Sequence, residues 1–565
     1  MRREKSQTKH RDPRVAFATI GVFVAVLCLI ASTADKVGLT YDERIYMAIA
    51  SRVGQWLGIL ASGDISHALS KDAIDTYWST KDQHPGFLKL LAAVTVPLGS
   101  PVLPPMSAYR VATALLFAAM CAGMFRFLMR YGWVAAATGV GSLVTMPSVF
   151  AHAQLLTLDV PCAAMSFLAT LAFVRTTESP RWGWFLALGA LLGLAIGCKL
   201  NAFFVPLVLV VWWAMFHRKH FGRYALACLV VAPAVFILTW PALWRDTIPK
   251  LSDYVAFHLG HYPIPVSYFG RVYVDPPAPW HYPFVMTAIT TPPVVILLWA
   301  LGLSRSIVER GRDRVVVLFL MSAAVQMLVV ALPSVPKYNG VRLFVSAFPY
   351  LCAVGGIGLA WAMDSIGRRA GASPGRAMLR PDGPVFRLVP FLLLVPSILG
   401  IAEVYPFEMS YYSPLVGGTP GAVKLGFEPT YWGESYGAAT QWLFAKAPVG
   451  ARIAVLPPGV LSTLVEFYRV SGVRPDLVFV AGEDDMRQAD YVMFHTRRGE
   501  LTPDALRLLD DGRPLFAVTH DGTPTGVPLC VVYTRDGIHR VLGKGNGSSS
   551  GNTRDEAVAS DDRGA

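Results

Sequence analysis

The chain has 565 residues, 53% hydrophobic and only 16% charged, with a mean hydropathy of +0.44 and a formal net charge of +12. A soluble domain carries about 25% charged residues, so these values exclude an ordinary soluble protein and imply a polytopic membrane one. The surplus lysine and arginine gather in short connections between apolar runs, which suits anionic lipid heads; no RNA- or DNA-binding pattern accompanies them, so no nucleic-acid partner is expected.

Residues 1–14 form a basic tail, expected on the cytoplasmic side. An apolar run from Val15 to Ala34 follows, and about 20 such residues cross a bilayer. The run is long for a signal-peptide core and no small-residue cleavage pattern follows it, which predicts a retained first helix. Further apolar segments at 108–129, 133–150, 160–176, 182–198, 202–216, 224–242, 285–303, 315–332, 342–362 and 387–404 predict about eleven crossings within residues 15–404. Every second connection is short and basic, so those connections face the cytoplasm and an odd count puts the region after 404 outside. The expected location is the cytoplasmic (inner) membrane.

Two long outer connections, 35–107 and 243–284, hold amphipathic stretches near 43–60 and 86–98 and a stretch dense in aromatics and prolines. They predict helices and turns lying on the outer interface. From 405 to 544, β-rich runs at 453–456, 477–480, 491–494 and 529–533 alternate with helical patterns near 435–446, 459–470 and 502–510. That alternation predicts an extracytoplasmic α/β domain. The Gly-, Ser- and Asp-rich stretch 545–565 predicts a disordered tail. There is no internal repeat, and the seven cysteines show neither a disulfide framework nor a zinc spacing.

Polar residues on the predicted outer side form the candidate site. Asp42-Glu43 directly follows the first span, where a carboxylate stays ionised yet shielded and can serve as a general base; the plain alternative is a helix start capped by Thr40 or Asp42. Asp159 opens the fourth span, as a ligand or merely as its cap. Lys199, Arg271, Lys337 and Arg342 are cations suited to a phosphate, or side chains that only snorkel to lipid. His84, His258, His261, Tyr46, Tyr268, Trp280, His281 and Tyr282 add histidines and aromatics, each of which alone is an ordinary packing or interface residue. Two carboxylate sites and several cations on one face together fit a phosphate-bearing ligand.

These residues carry a resemblance. Tyr41-Asp42-Glu43 with Tyr46, His84-Pro85, Leu158-Asp159-Val160-Pro161, Gly193 to Asn201 with Lys199, Tyr268-Phe269-Gly270, Pro279-Trp280-His281-Tyr282-Pro283, Thr291-Pro292, and Arg342 with Phe348-Pro349 occur in the order found in glycosyltransferase family 39. The chain thus resembles the membrane glycosyltransferases of the GT-C fold, the dolichyl-phosphate-mannose protein mannosyltransferases and the lipid A aminoarabinose transferases. The segment from Tyr405 to Tyr412, Gly417-Gly418 and Tyr431-Trp432-Gly433-Glu434 is similar to a junction in a bacterial branch of them. Gly86 stands where many members have a second proline, and Gln83-His84 where some have an acid and a lysine.

The resemblance implies transfer of a sugar from a polyprenyl phosphate to a glycolipid, glycan or protein acceptor at the outer face, by direct inverting displacement. Asp42 would be the general base, with Glu43 beside it in the catalytic pair. Lys199, Arg271, Lys337 and Arg342 would hold the donor phosphate. Tyr46, Tyr268, Trp280 and Tyr282 would pack against donor or acceptor. Asp159 and His84 would bind acceptor or a divalent metal; the metal stays open. A lipid-linked glycan transporter, which usually shows repeat symmetry, and a non-catalytic membrane scaffold are the alternatives.

Overall fold

The computed structural model describes residues 12–78, 84–260, 263–370, 384–457 and 474–543. The expected helix near 459–470 and the expected tail 545–565 lie outside them, as does His261.

All eleven apolar segments are helical, but they do not cross alike. Among the described residues seven helices are long and apolar enough to span, and two bent pairs raise the number to nine. The bent pairs are Trp133–Val144 with Pro147–Ala153, at 71°, and Tyr282–Thr290 with Pro293–Val308, at 119°. Both breaks fall at prolines, which cannot donate to the helix ladder. The segments Trp182–Ile196 and Leu200–Phe216 are short of a full span.

Position in the bundle follows composition. The first span is apolar over most of its circumference and only 17% buried, with Phe17 and Ile20 exposed. The spans Asp159–Glu178 and Arg342–Gly367 are 83% buried and form the centre. Small residues allow the close approach: a side chain at Gly356 would strike the backbone of Ala135 and Gly139, and one at Gly358 that of Gly302. Each central span opens on a charged residue, Asp159 or Arg342.

Between the first two long spans, Tyr41–Ala61 and Phe87–Gly99 are the helices expected from the amphipathic stretches. The aromatic loop holds a helix, Thr247–Leu259, and a hairpin of β1 (Val266–Tyr268) and β2 (Arg271–Tyr273) that the sequence reading missed. The C-terminal strands are β3 (Arg452–Leu456), β4 (Val478–Val480), β5 (Tyr491–His495), β6 (Phe516–Thr519) and β7 (Pro528–Thr534), in the order β4-β3-β5-β7-β6. The β3 pairings are parallel and the β7 pairings antiparallel. The four expected strands are present; β6 and the helix Arg535–Leu542 are additional.

Side chains alternate across this sheet. Ala454, Leu456, Val492 and Phe494 pack with the helices Pro503–Asp511 and Arg535–Leu542. Ile453, Val455 and Met493 pack with Ala439 and Leu443 of the helix Tyr436–Lys446. That second core continues without a break into Leu39, Tyr46, Met47 and Leu88, so the α/β domain sits directly on the start of Tyr41–Ala61.

One buried ion pair fixes that start. Arg110, inside the span Pro105–Leu128, donates from Nε to Glu43 Oε1 at 2.8 Å and from Nη2 to Oε2 at 2.7 Å. Its remaining donors hold the carbonyls of Ala34, Val37 and Gly38, the turn that ends the first span. Both side chains are sealed, at 1% and 0% exposure. Removing one partner of such a pair costs on the order of 3–5 kcal/mol, because it strands a buried charge. Arg110→Ala should therefore lower the thermal unfolding temperature in detergent sharply or deplete the protein from membranes. The apolar pair Glu43→Leu with Arg110→Met should recover part of the loss. Wild-type stability of Arg110→Ala would show that the pair is dispensable.

Candidate active site

Four charged side chains from four separate elements meet in one chain of contacts. Asp42 is the second residue of Tyr41–Ala61, and Asp159 is the first of Asp159–Glu178. Carboxylates are favoured at helix N-termini, where backbone N–H groups point outward. Lys199 lies in the extended break after Trp182–Ile196, and Arg342 opens the 3-10 turn that leads into Phe348–Ala370.

Arg342 joins the two acids. Its Nε donates to Asp159 Oδ2 at 3.1 Å, and its Nη2 is paired with Asp42 Oδ2. Lys199 Nζ takes the other Asp159 oxygen at 2.5 Å. The order Asp42, Arg342, Asp159, Lys199 alternates in charge and sums to zero. Exposure divides the acids: Asp159 is 1% exposed and Asp42 28%. Asp42 is the carboxylate open to solvent, whereas Asp159 is sealed between cations.

The backbone aims Arg342. Asn339 and Gly340 both take positive φ, at 56° and 60°, and turn the chain back into the bundle. A Cβ at Gly340 would meet the Tyr431 ring at 2.9 Å, which adds to the left-handed strain any other residue would bear. The guanidinium then lies 4.1 Å from the centre of the Trp432 ring, a cation–π contact that holds it flat. His152 backs the same indole at 5.4 Å.

The other sequence candidates fall into three groups. Glu43 is in the buried pair described above and also accepts from Thr40 N and from Leu156 N, so its carboxylate is fully engaged in holding the turn. Tyr46 and His84 lie beside the acid–base chain: their rings are 6.3 Å apart, and Lys89 donates to the His84 carbonyl at 2.8 Å. Burial, and then the charge of Lys89, hold the His84 imidazole well below its ordinary value, so it is neutral near pH 7. His258 is 5.6 Å from that ring.

The remaining candidates make their contacts elsewhere. Lys337 is buried and donates to the carbonyls of Leu332 and Val335, closing the end of Arg314–Ala331 beside a cavity of about 330 Å³. Arg271 is exposed and lies over the Tyr273 ring. Trp280 is 63% exposed. Tyr268 bonds His281 at 2.6 Å and packs on Tyr282.

Sequence reasoning gave no role to Arg110, Lys89 or Trp432. Arg110 was the legible one, since a charge inside an apolar span is a functional flag. Asp159 and His84 fit a divalent ion poorly. Both Asp159 oxygens are on cations, and among the described residues no three His, Cys, Asp or Glu side chains converge.

Residues 90–244 match the family model for dolichyl-phosphate-mannose-protein mannosyltransferase. The matched stretch includes Asp159 and Lys199 and bears out the family resemblance there. No curated sequence matches the chain. Among solved structures, ArnT from Cupriavidus metallidurans bound to undecaprenyl phosphate aligns with a TM-score of 0.48 at 17% identity, covering 91% of this chain and 98% of that one. The oligosaccharyltransferase AglB from Archaeoglobus fulgidus, in complex with an inhibitory peptide and a dolichol-phosphate, aligns at 0.47 and 11% identity, covering 85% and 69%. The protein O-mannosyltransferase complex Pmt1-Pmt2 of S. cerevisiae, bound to its sugar donor, aligns at 0.32 and 18%, covering 42% and 34%. The chain is a multi-pass membrane protein that carries a glycosyltransferase-family segment.

A second pair of acids is buried on the same side. Gln154 donates to Glu408 Oε1 at 3.4 Å, and Thr430 to Glu434 Oε1 at 2.8 Å. Burial pushes the Glu408 carboxyl up to about 7 from an ordinary 4.5. The folded protein therefore binds this proton more tightly than the unfolded chain. The stabilising contribution is complete below pH 4.5 and is lost as pH rises toward 7. Thermal unfolding in detergent should show this decline in the wild type. Glu408→Gln should flatten it, and an unchanged slope would show that Glu408 does not titrate there.

Proposed function

We propose that the protein is an integral membrane glycosyltransferase. It moves a sugar from a polyprenyl-phosphate donor to an acceptor hydroxyl at the outer face of the cytoplasmic membrane. The observation that carries this reading is the Asp42–Arg342–Asp159 arrangement: one accessible carboxylate, latched by a cation that an incoming phosphate can claim.

The steps follow from charge. The polyprenyl tail lies in lipid between spans, and its phosphate reaches the outer interface. Arg342 keeps Nε on Asp159 and exchanges Asp42 for a phosphate oxygen, to which an arginine fork is well matched. Lys199 adds a second positive charge. Asp42 is then free to take the proton of the acceptor hydroxyl. The acceptor oxygen forms its bond to the anomeric carbon as the bond from that carbon to the phosphate oxygen breaks. The phosphate leaves with both electrons of that bond, and Arg342 and Lys199 neutralise the charge that develops. One displacement inverts the anomeric centre. Asp159 holds the two cations in register. His84 and Tyr46, beside Asp42, border the sugar or the acceptor. Residues 15–404 would form the transferase domain and 405–544 an exported α/β domain.

Asp42→Asn keeps shape and removes the base; turnover should fall by about 10²-fold or more at unchanged protein level. Near-normal turnover would remove Asp42 from this role. Sidedness is checked by an impermeant thiol reagent on intact cells, in a background lacking Cys28. A cysteine at Val449, which is 86% exposed, should label, and one at exposed Arg312 should label only after permeabilisation. The reverse pattern would put the site in the cytoplasm and favour a soluble nucleotide sugar.

A further inference from the structure

A second polar network ends one residue from Asp42. The Tyr41 hydroxyl lies 3.1 Å from His495 Nδ1, within hydrogen-bond distance. His495 Nε2 meets Glu500 Oε2 at 3.2 Å, and Glu500 Oε1 accepts from Arg497 Nη1 at 2.6 Å. Arg497 continues to the Glu428 carboxylate at 3.3 Å, to the Tyr431 carbonyl at 3.2 Å and to the Pro265 carbonyl at 2.7 Å. His495 ends β5, so the chain of contacts runs from the exported sheet to the first residue of the Asp42 helix.

The network is buried: His495 is 0% exposed and Arg497 2%. Burying such groups is costly, and an apolar interface of the same shape would be at least as stable. Stability alone therefore gives no reason for it. Apolar packing is non-directional, whereas a hydrogen bond fixes an atom. The atom fixed here is the Tyr41 hydroxyl. The other end of that residue is held too, because Tyr41 N donates to the Trp432 carbonyl at 3.2 Å. Gly433, with φ of 84°, lies flat against the Tyr41 ring, where any Cβ would collide. Trp432 carries the Arg342 guanidinium on its ring. One strap, residues 431–433, thus touches both the residue before Asp42 and the cation that latches Asp42.

We propose that Tyr41 and His495 are positioning residues: the exported domain, through the His495–Tyr41 hydrogen bond, sets where Asp42 stands relative to Arg342 and the acceptor. Burial keeps Tyr41 protonated and His495 neutral, so Tyr41 donates, Nδ1 accepts and Nε2–H is left for Glu500. The inference rests on Asp42 being the base, and it gives the exported domain a part in turnover.

The test uses full-length protein in detergent, with the polyprenyl-phosphate sugar pool extracted from host membranes as the titrated donor. Tyr41→Phe removes one oxygen and leaves the ring packing intact. It should lower kcat by about 10-fold or more, the scale of a small misplacement of a reacting group, with the donor KM within about twofold of wild type. His495→Leu should do the same, and His495→Asn, whose amide oxygen can accept from Tyr41, should restore most of the rate. Added to Asp42→Asn, Tyr41→Phe should cause no further loss. Unfolding temperatures separate a folding defect from misplacement, and Tyr41→Phe decides if His495→Leu is unstable. Wild-type kcat in Tyr41→Phe beside an inactive Asp42→Asn would overturn the positioning role alone. Full activity of Asp42→Asn would overturn the base and the positioning role with it.

Discussion

The guanidinium of Arg342 is the constraint on which the site depends. It holds one carboxylate that is sealed from solvent and one that a ligand can reach, and it does so from the first residue of a central span. Three conditions must hold at once: the left-handed turn at Asn339-Gly340, the flat indole of Trp432, and Asp159 anchored by Lys199. A guanidinium is suited to this because its donors form a rigid fork that can serve two anions, whereas an ammonium is a point charge. The same rigidity means that an incoming anion need displace only one arm.

The adjacent acids Asp42 and Glu43 show how neighbours acquire opposite roles. On a helix, successive side chains point about 100° apart. Glu43 therefore turns into the protein, where Arg110 waits, while Asp42 turns along the surface toward Arg342. The buried member fixes the helix start so that the exposed member can keep its place. Neither could take the other's part without reversing the helix face.

Much of this was legible in the sequence. Eleven apolar runs became eleven helical segments because hydrophobic length is a strong signal, and Asp42, Asp159, Lys199 and Arg342 were found because charge at the edge of such runs is rare. What could not be read was how far each run crosses. Prolines at 147 and 293 bend two of them, and the turn at Lys199 shortens two more. Nor could spacing separate Lys337 and Arg271 from Arg342. All three are cations beside family-like motifs, and only the folded chain shows that Lys337 is occupied with its own helix end while Arg271 lies out on the β1–β2 hairpin. Trp432 was visible as part of a motif but not as the surface under the guanidinium of Arg342, far away in the sequence, since ring contacts leave no periodic trace.

The core shared by Leu39 and Tyr46 with Ile453 and Val455 has a consequence for the order of events in the cell. Synthesis proceeds from the N-terminus, and domains tend to fold as they emerge. The helix that carries Asp42 leaves the ribosome early, but the sheet that covers it arrives some four hundred residues later. Every candidate span among the described residues has by then been synthesised. The nascent chain therefore passes through insertion with the corner beside Asp42 uncovered, and that corner is completed only once the strand holding Ile453 and Val455 has emerged.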